Sequence, residues 1–443
     1  MQEDQVWVKL RKGTASASSS RLLDGCGKDG EAQTMIRLSA SEGFNGRIKQ
    51  SPEDFIVEEI TRNGFVLAKD AKVGNSDLSM DESASGKFAV FVMQKRDWNT
   101  IQALKVLAKK AGRGIKSISF AGTKDRASVS TQLCSIFGAQ SARIAAMHVK
   151  DISINGAWQS NMGVEMGELL GNRFNVTIRD SDATEEKINE IAKELDGVFP
   201  NYFGEQRFGY RSNNADIGLA IMKGEFEKAA MSLLTETTNE RNLDSIEARD
   251  RLAKEMDFAK ALGYFPPYLK YERMLLEYLA EYPTDYANAI RKLPRQLSLM
   301  FVHSVEGLIF NKEIEARIGS FGDDPKAGEL ICDAGAHGFP DMASIRNVSG
   351  RREGKTFLVG NIIGYDSERL NETENTILEQ MSLTKEMFKI QSMPELSCKG
   401  NYRVLFAPFV GFSSSISGNS ATLSFSLPSG SYATVLLEEF VHG

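Results

Sequence analysis

Cysteine and histidine are scarce in this chain of 443 residues, which contains four of each. The cysteines lie far apart, at Cys26, Cys134, Cys332 and Cys398, and none belongs to a CxxC pair or stands at ligand spacing from a histidine. A disulfide framework and a metal site are therefore not expected, and a histidine-based catalytic triad has no supporting motif. We expect a protein of the reducing cytoplasm.

Long apolar runs and nucleotide-binding glycine loops are also missing. No run approaches the ~20 residues of a membrane-spanning helix, and the N-terminal sequence has no apolar segment typical of a secretory signal. No GxxxxGK[ST] motif occurs, which excludes a P-loop. Hydrophobic residues make up 42% of the chain and charged residues 25%, as in ordinary globular proteins. We expect two or three domains and no contact with a membrane.

The net charge of −6 argues weakly against a nucleic-acid partner, but the cations are unevenly distributed. Between Lys95 and Lys116 there are seven cations and a single anion, Asp97. A local excess of this kind can bind phosphate groups even in an acidic protein. A solvated helix face explains the same pattern equally well.

The order of secondary-structure patterns suggests one domain inserted into another. Strand patterns dominate residues 36–235, among them an alternating run at 87–95. An amphipathic helix is predicted after Asn99, with Ile101, Leu104, Leu107 and Ala108 on one face, and a further helix is predicted at about 215–234. Sequence of β type returns at 396–443. The segment 236–395 between them is charged and rich in helix patterns. We therefore predict an α+β fold in which 36–235 and 396–443 share a mixed, mostly antiparallel sheet, with an inserted helix-rich α/β domain at 236–395 and an extension at 1–35.

A single carboxylate between two cations stands at the end of a predicted strand. Asp125 lies between Lys124 and Arg126, directly after the sequence SFAGT. Neighbouring cations keep a carboxylate ionised, and an ionised carboxylate can act as a nucleophile or as a base. A turn aspartate that bonds its own backbone is the more common explanation of such a local pattern.

The segment 201–209, NYFGEQRFG, combines aromatic rings with amides and an arginine. Rings that stack on an unpaired base, beside hydrogen-bond donors, are typical of RNA-binding loops. A packed aromatic turn is the alternative. Two further features say little alone: Lys49 precedes a predicted strand, and Tyr432 follows a Pro/Ser/Gly turn at a predicted helix start, where anions can bind.

Taken together, these segments resemble the TruD family of tRNA pseudouridine synthases. The resemblance rests on KxxPEDFxVEEI at 49–60, the Asn99-Thr100 helix start, FAGTKDRxxVSTQ at 120–132, GNRFxVTIR at 171–179, NYFGEQRFG at 201–209 and LPSGSYAT at 427–434. The motifs follow the order of the family, and the combination of GTKDR with NYFGxQRFG is highly specific. The segment 236–395 matches the family's inserted TRUD domain only in position and composition.

The resemblance implies that the chain isomerises uridine to pseudouridine in tRNA, most typically uridine 13 of the D-arm, without a cofactor or a metal. It assigns catalysis to Asp125, with Lys49 as its paired cation. It leaves open whether Asp125 attacks the ribose or removes its 2′-proton. Substrate binding falls to residues of the remaining motifs and the neighbours of Asp125: Asn201, Phe203, Gln206, Arg207, Tyr432, Lys124 and Arg126. Phe203 is expected to stack on the target base, and the two neighbours to contact phosphate or tune the loop.

Two other classes stay open on the sequence alone. One is a non-catalytic RNA-binding module or tRNA chaperone, against which the intact Asp125 and Lys49 argue. The other is an unrelated carboxylate enzyme such as a glycosidase, which needs a second carboxylate across its pocket; no motif nominates one. We expect tRNA as the partner and a monomer as the assembly.

Overall fold

A computed structural model describes residues 35–320, 325–326, 328–348 and 354–442, so the predicted extension at 1–35 lies almost wholly outside the described residues. The strands, in chain order, are β1 (Phe44–Asn45), β2 (Phe55–Thr61), β3 (Phe88–Arg96), β4 (Ile118–Phe120), β5 (Val129–Phe137), β6 (Ile152–Ser160), β7 (Leu169–Ile178), β8 (Val198–Pro200), β9 (Leu330–Ala334), β10 (Pro340–Asn347), β11 (Thr356–Ile362), β12 (Asn401–Val404), β13 (Phe406–Pro408), β14 (Val410–Ser417), β15 (Ser420–Pro428) and β16 (Val441–His442).

The helices, numbered in the same way, are α1 (Thr100–Lys110), α2 (Ser141–Ala145), α3 (Glu185–Leu195), α4 (Glu205–Phe208), α5 (Asn214–Met222), α6 (Phe226–Thr235), α7 (Leu243–Glu255), α8 (Phe258–Tyr264), α9 (Lys270–Glu281), α10 (Tyr286–Arg291), α11 (Arg295–Ser320), α12 (Glu372–Gln380) and α13 (Ala433–Phe440). Short 3₁₀ turns lie between them at Pro52–Asp54, Ile115–Ser117, Lys385–Phe388 and Pro394–Leu396.

The main sheet is mixed and mostly antiparallel, which confirms the predicted α+β class. Its strands lie in the order β14-β15-β7-β2-β5-β3-β6, and β4 pairs with β5. The parallel contact in this order is between β2 and β5 at its centre. Strand β15 comes from the C-terminal part of the chain and pairs with β7 from Ala421 to Pro428. The first and last parts of the chain therefore share one sheet, as predicted.

A second sheet, in the order β10-β9-β11-β12, lies largely in the segment 236–395. Helices α7 to α11 precede it in the chain, and α12 follows β11. Helices and an antiparallel sheet together match the helix-rich composition predicted for this segment.

Side-chain caps explain where the helices begin. The Asn99 side chain accepts hydrogen bonds from the backbone N–H groups of Ile101 and Gln102, so α1 begins where the sequence predicted. The hydroxyl of Thr184 accepts from the N–H of Lys187 and caps α3 in the same way.

The prediction of one continuous helix at about 215–234 is wrong, because the chain forms α5 and α6 with a break between them. Gly224 adopts a φ of +75° at the break. The N–H of Glu225 donates to the carbonyl of Ala220, which closes the end of α5. A glycine in the left-handed region is a common helix terminator, and it outweighs the apolar periodicity that continues on both sides.

Two apolar clusters cover one face of the main sheet. The sheet cluster packs α3 and α13 onto β2, β7 and β15 and includes Phe55, Val57 and Phe425. The α1 cluster packs α1 onto β3 and β5 and includes Phe91 and Cys134. The boundary between the two clusters follows the central parallel pair of strands.

A third, helical cluster runs from Ile217 to Cys398 and joins α5 to α12. It includes helices from before residue 236, and the sheet cluster includes Phe310 and Leu358 from the predicted insertion. The division of the chain at 236 and 395 therefore stays a prediction. In the described part of the chain, no helix combines the length and the apolarity needed to cross a bilayer.

Candidate active site

Lys49 and Asp125, which are 76 positions apart, form an ion pair. The Nζ atom of Lys49 donates to Oδ2 of Asp125 over 2.9 Å, and the side chains are 23% and 41% exposed. The carboxylate is therefore held by a cation and still reaches solvent. Such a group is placed to meet a ligand, which a turn aspartate bonded to its own backbone would not be.

The backbone around Lys49 directs its side chain over the sheet. Lys49 has a φ of +57°, in the left-handed region that ordinary side chains seldom adopt. Its Nζ lies 4.3 Å from the ring centroid of Phe55, the first residue of β2. The following 3₁₀ turn is fixed by Asp54, whose buried carboxylate accepts from the Arg179 guanidinium over 2.6 to 3.0 Å. The Arg179 guanidinium holds the pKa of Asp54 below its usual range.

The loop that carries Asp125 is anchored by its backbone. The carbonyl of Asp125 accepts from Nζ of Lys95 over 2.7 Å and from the Ser128 hydroxyl over 2.8 Å. The Thr100 hydroxyl, at the start of α1, accepts from the N–H of Lys124 over 3.0 Å. These bonds explain why the Asn99-Thr100 helix start belongs to the motif set, although it adds no reactive group.

Lys95 is a buried cation, although it belongs to the basic stretch of the sequence in which a phosphate-binding surface was expected. Its side chain is fully buried, and burial lowers the pKa of Lys95 to about 8. Strand alternation explains this: Lys95 lies on the same face of β3 as Phe91, toward the α1 cluster. The prediction that Lys95 contributes to a phosphate-binding surface is wrong. The exposed cations of the stretch are Arg96, Lys105, Lys109, Lys110, Arg113 and Lys116.

Lys124 and Arg126, the two neighbours of Asp125, have opposite environments. The Lys124 ammonium is buried and donates to the buried Glu59 carboxylate over 2.6 Å, so its place supports a role in holding the loop rather than in phosphate contact. Arg126 is exposed and donates to Asp97 over 3.1 Å. Of the two, Arg126 is the one that a nucleic-acid backbone can reach.

The motif residue Asn201 belongs to a second group of polar side chains. Its Oδ1 accepts from Nη2 of Arg403 over 2.6 Å and from the Ser431 hydroxyl over 3.0 Å. Arg403 also donates to the carbonyls of Asn201 and Gly430. Burial lowers the pKa of Arg403 to about 10. Arg403 thus ties the aromatic loop to the C-terminal turn. No sequence pattern indicated this contact, because Arg403 lies outside every motif.

The Phe203 ring lies under two guanidinium groups. The Arg403 and Arg207 Cζ atoms are 4.5 Å and 4.8 Å from its ring centroid, and 8% of the residue is exposed. Asn311 of α11 accepts from the N–H of Phe203 over 2.8 Å and donates to its carbonyl over 3.0 Å. The backbone of Phe203 is therefore clamped, and its ring is covered by cations that a base would have to displace before stacking.

Tyr432 and Gln206, the remaining predicted contacts, lie in different surroundings. Tyr432 is half-buried at the start of α13, and its ring lies against the backbone of Gly204. Gln206 is exposed and lines a surface cavity with Tyr210 and Arg241. The structure brings Tyr432 to the set formed by Phe203, Arg207 and Arg403, and it leaves Gln206 outside that set.

A row of paired residues relates the two groups across the sheet. Glu59, the anchor of the Asp125 loop, is paired with Asn172, and Asn172 is paired with Leu427. Since neighbouring strands lie about 4.8 Å apart, Glu59 and Leu427 are separated by about 10 Å. Tyr432 follows Leu427 after a short turn. The Asp125 loop and the Tyr432 turn therefore rise from the same level of the sheet.

The side chains that bond Asp125 are the ammonium groups of Lys49 and Lys95 and the hydroxyl of Ser128. In the part of the chain that the structure describes, a set of three clustered metal-ligating side chains lies elsewhere, at His303, Glu306 and Cys398. The Asp125 site thus offers charge and hydrogen bonds for a substrate.

The family model described as TruD, tRNA pseudouridine synthase D, matches residues 32–440. The chain belongs to the TruD family. This agrees with the six motifs, which lie between residues 49 and 434.

Members of the TruD family from several archaea match the chain over most of its length. A protein named "Probable tRNA pseudouridine synthase D" from Methanosarcina acetivorans is 33% identical, and the match covers 93% of this chain and 96% of the relative. A protein of the same name from Methanococcus maripaludis is 34% identical over 90% of this chain and 96% of the relative. One from Thermococcus sibiricus is 32% identical over 91% and 96%.

The TruD fold is also seen in a solved structure. A crystal structure of tRNA pseudouridine synthase D (TruD) from Methanosarcina mazei superposes with a TM-score of 0.73 at 30% identity. It covers 91% of this chain and 95% of the other. The α+β fold with its mixed sheet is therefore that of the TruD family.

Proposed function

We propose that this TruD-family chain is a tRNA pseudouridine synthase that isomerises uridine 13 of the D-arm, with Asp125 as the catalytic carboxylate and Lys49 as its cation. Two lines of support meet here. The family match covers residues 32–440. The motif residues Lys49 and Asp125 form an ion pair of 2.9 Å, and both side chains are partly exposed to solvent.

The ion pair carries the proposal. A carboxylate at the surface of a protein gains little from an exposed salt bridge, so stability alone gives weak reason for the pair. Here the lysine sits in a left-handed backbone position, and the loop of Asp125 is fixed by the buried cations Lys95 and Lys124. Such support is expected of a group that must be held in one geometry for a reaction.

The reaction requires the C1′–N1 bond of uridine to break and a C1′–C5 bond to form, after which C5 loses its hydrogen as a proton. Asp125 serves this in its ionised form, either by attacking C1′ or by removing the 2′-proton of the ribose. Lys49 holds the carboxylate charged and in place. The detached base must rotate before it rejoins the ribose, so the site must keep water out or the glycosidic bond is hydrolysed.

The substrate base reaches Asp125 only if it leaves its helical stack, which costs a few kcal/mol. Stacking of the base on the Phe203 ring would offset part of this cost. Arg403 is locked by its bonds to Asn201 and Gly430, whereas Nε of Arg207 is buried without a hydrogen-bond partner in the described residues. Arg207 is therefore the cation that moves aside, so that the base stacks on Phe203 beside Tyr432.

The test compares Asp125→Asn with Asp97→Asn, since Asp97 is an exposed aspartate in the neighbouring loop and is paired with Arg126. Release of tritium from tRNA labelled at C5 of uridine follows the reaction directly. We expect Asp125→Asn to lose roughly 10²–10⁴-fold or more in rate while it keeps tRNA affinity, and Asp97→Asn to stay near the wild-type rate. An active Asp125→Asn variant would remove this residue from the catalytic role.

The position of the target is tested separately. Pseudouridine is mapped in total tRNA after the gene is deleted and restored, and the purified chain is assayed on a tRNA whose uridine 13 is replaced by cytidine. We expect the modification at position 13 to disappear and return, and no tritium release from the altered tRNA. Pseudouridine formed at other tRNA positions but not at position 13 would support the synthase activity and refute uridine 13 as its target. A chain that binds tRNA but never releases tritium would be a binding module instead.

A further inference from the structure

The fold brings together three side chains that the sequence gave no reason to associate. His303 and Glu306 lie one turn apart on α11, and Cys398 lies in the loop before β12. The His303 Nδ1 is 2.6 Å from Oε2 of Glu306 and 3.8 Å from Sγ of Cys398. The ligand atoms of the three residues all lie within 4.8 Å of one another.

The cluster contains a buried carboxylate, Glu306, whose negative charge is only weakly compensated by its surroundings. The Glu306 side chain is 6% exposed, and its ion pair in the described residues is with His303, whose own side chain is 41% exposed. The residues around it are those of the helical cluster, which is apolar. A buried carboxylate is costly unless a cation lies against it, so this place favours a positive charge.

The donor set indicates which cation fits. A thiol, an imidazole and a carboxylate are the ligands of Zn²⁺, whereas Ca²⁺ and Mg²⁺ prefer oxygen throughout. The His303 side chain is 41% exposed, which gives an ion a route from solvent and leaves room for water as a fourth ligand. Cys398 is held in place by its backbone, whose N–H donates to Phe388 and whose carbonyl accepts from Tyr365.

We propose that His303, Glu306 and Cys398 form a zinc site that fastens α11 to the loop before β12, with water as the fourth ligand. The proposal does not depend on the proposed function. It reverses the expectation from sequence, which found no cysteine at ligand spacing from a histidine; here the two are 95 positions apart.

The geometry needs one small adjustment. Tetrahedral zinc with bonds of 2.0 to 2.3 Å places neighbouring ligand atoms roughly 3.4 Å apart. The separation of 3.8 Å between His303 and Cys398 is close to this, while the 2.6 Å hydrogen bond to Glu306 must open. A rotation of the Glu306 side chain achieves it. The Cys398 thiol, which now points to the Leu396 carbonyl, loses its proton to solvent as the thiolate binds zinc.

Occupation of this site would steady the helix that also supports the aromatic loop. Asn311 of α11 clamps the Phe203 backbone, and Ser304 donates to the carbonyl of Arg207. Zinc at His303 and Glu306 would fasten the same helix at its other side. We therefore place the site as a structural anchor, not as a source of a reactive water.

The experiment uses the full chain without a histidine tag, stripped of metal with a chelator and titrated with Co²⁺ and then Zn²⁺. Cys398→Ser is compared with Cys332→Ser, because both cysteines are buried and free. We expect wild type and Cys332→Ser to bind one Co²⁺ with the visible bands of a tetrahedral complex and a thiolate-to-cobalt charge-transfer band, which Zn²⁺ removes. Cys398→Ser should lack the charge-transfer band.

A second variant guards against a folding defect in Cys398→Ser. His303 is partly exposed, so His303→Gln should fold normally, and we expect it to weaken Co²⁺ binding by at least about tenfold. Zn²⁺ should also raise the Tm of wild type and Cys332→Ser but not that of the two ligand variants. If wild type shows no thiolate-to-cobalt band, or if Cys398→Ser keeps it, the cluster is a His303–Glu306 ion pair beside a neutral thiol and the proposal fails.

Discussion

At the scale of single residues, Lys49 contacts Asp125 through its ammonium group, and the backbone of Lys49 has an unusual left-handed conformation. A cation that stabilises a reacting carboxylate acts on the rate more than on binding, because the charge it faces matters most in the reaction itself. We predict that Lys49→Ala lowers the single-turnover rate roughly 10²–10³-fold and changes the Kd for tRNA by less than about tenfold.

The control for this variant is Lys260→Ala, which breaks a lysine–aspartate pair of similar length, 3.0 Å, in the helix-rich segment. Single-turnover tritium release and filter binding are measured for both variants. Unchanged single-turnover kinetics in Lys49→Ala would contradict the role given to this lysine, as would a loss that lies in affinity alone.

Lys95 also acts on stability, because its burial lowers its pKa to about 8 from 10.5. Its charge is tuned by several facing groups: Asp125, Lys124, Cys134 and Asp97. Between pH 8 and 10.5 the unfolded chain keeps the lysine proton and the folded chain does not, so rising pH favours the folded state. Relative to Lys95→Met, we predict that the free energy of unfolding of wild type rises by roughly 3 kcal/mol across this range.

Urea unfolding of wild type and Lys95→Met at several pH values between 7.5 and 10.5 measures this difference. Lys105→Met serves as control, since Lys105 is exposed on α1 and its removal should leave the pH dependence of wild type intact. Parallel curves for wild type and Lys95→Met would mean that Lys95 keeps its proton in the folded protein.

At the scale of secondary-structure elements, α1 presents a basic surface formed by Lys105, Lys109 and the following Lys116. Exposed lysines that neutralise phosphates release counterions, so they steepen the salt dependence of RNA binding. We predict that Lys105→Gln, Lys109→Gln and Lys116→Gln together lower the slope of log K against log salt concentration by about 1 for each lysine that contacts phosphate.

The matched control removes the same charge from other faces, with glutamine at Lys193, Lys228 and Lys254, which are exposed on α3, α6 and α7. Filter binding to tRNA at several salt concentrations gives both slopes. Equal slopes in the two triple variants would show that the surface of α1 does not contact RNA.

Elements were predictable wherever local sequence determines them. The strand at 87–95 and the Asn99 cap were found because alternation and capping are short-range effects. The helix face was less exact: Ile101 is 40% exposed, and Ala103 takes a place in the core instead. The break at Gly224 was missed because apolar periodicity runs through it.

Side-chain surroundings were predictable only through the motifs. The Lys49–Asp125 contact was proposed from the resemblance, and no local pattern shows which way Lys95 or Lys124 points. Both are cations that strand pairing and loop closure turn inward. Arg403 and Asn311 belong to no motif, and their contacts with the aromatic loop exist only because distant parts of the chain fold onto it.

At the scale of the whole molecule, a pair of buried carboxylates lies between the sheet cluster and the helical cluster. Glu313 of α11 lies near Phe310 in the chain, and Glu374 of α12 lies near Ile377. Burial raises the pKa of both groups, and for Glu313 the charge of Glu374 raises it further. Asn371 and Asn361 donate to them, while Oε2 of Glu313 is buried without a hydrogen-bond partner in the described residues.

The sign of the pH effect follows from these shifts. A carboxyl group whose folded pKa is raised binds protons more tightly in the folded state, so it adds stability at acidic pH and loses it as the pH rises through the folded value. The junction of the two clusters should therefore be tightest in mild acid. Glutamine at position 313 has nearly the same shape and no charge to bury.

We predict that wild type loses stability as the pH rises above 4.5, the ordinary glutamate pKa, and that Glu313→Gln is less sensitive to pH and more stable at the upper end by roughly 1–4 kcal/mol, as when other buried charges are replaced. Glu379→Gln, on the exposed side of α12, is the control and should follow wild type. Thermal unfolding of the three proteins across this range measures the effect. A Glu313→Gln variant as pH-sensitive as wild type would show that the buried pair does not couple protonation to the packing of the two clusters.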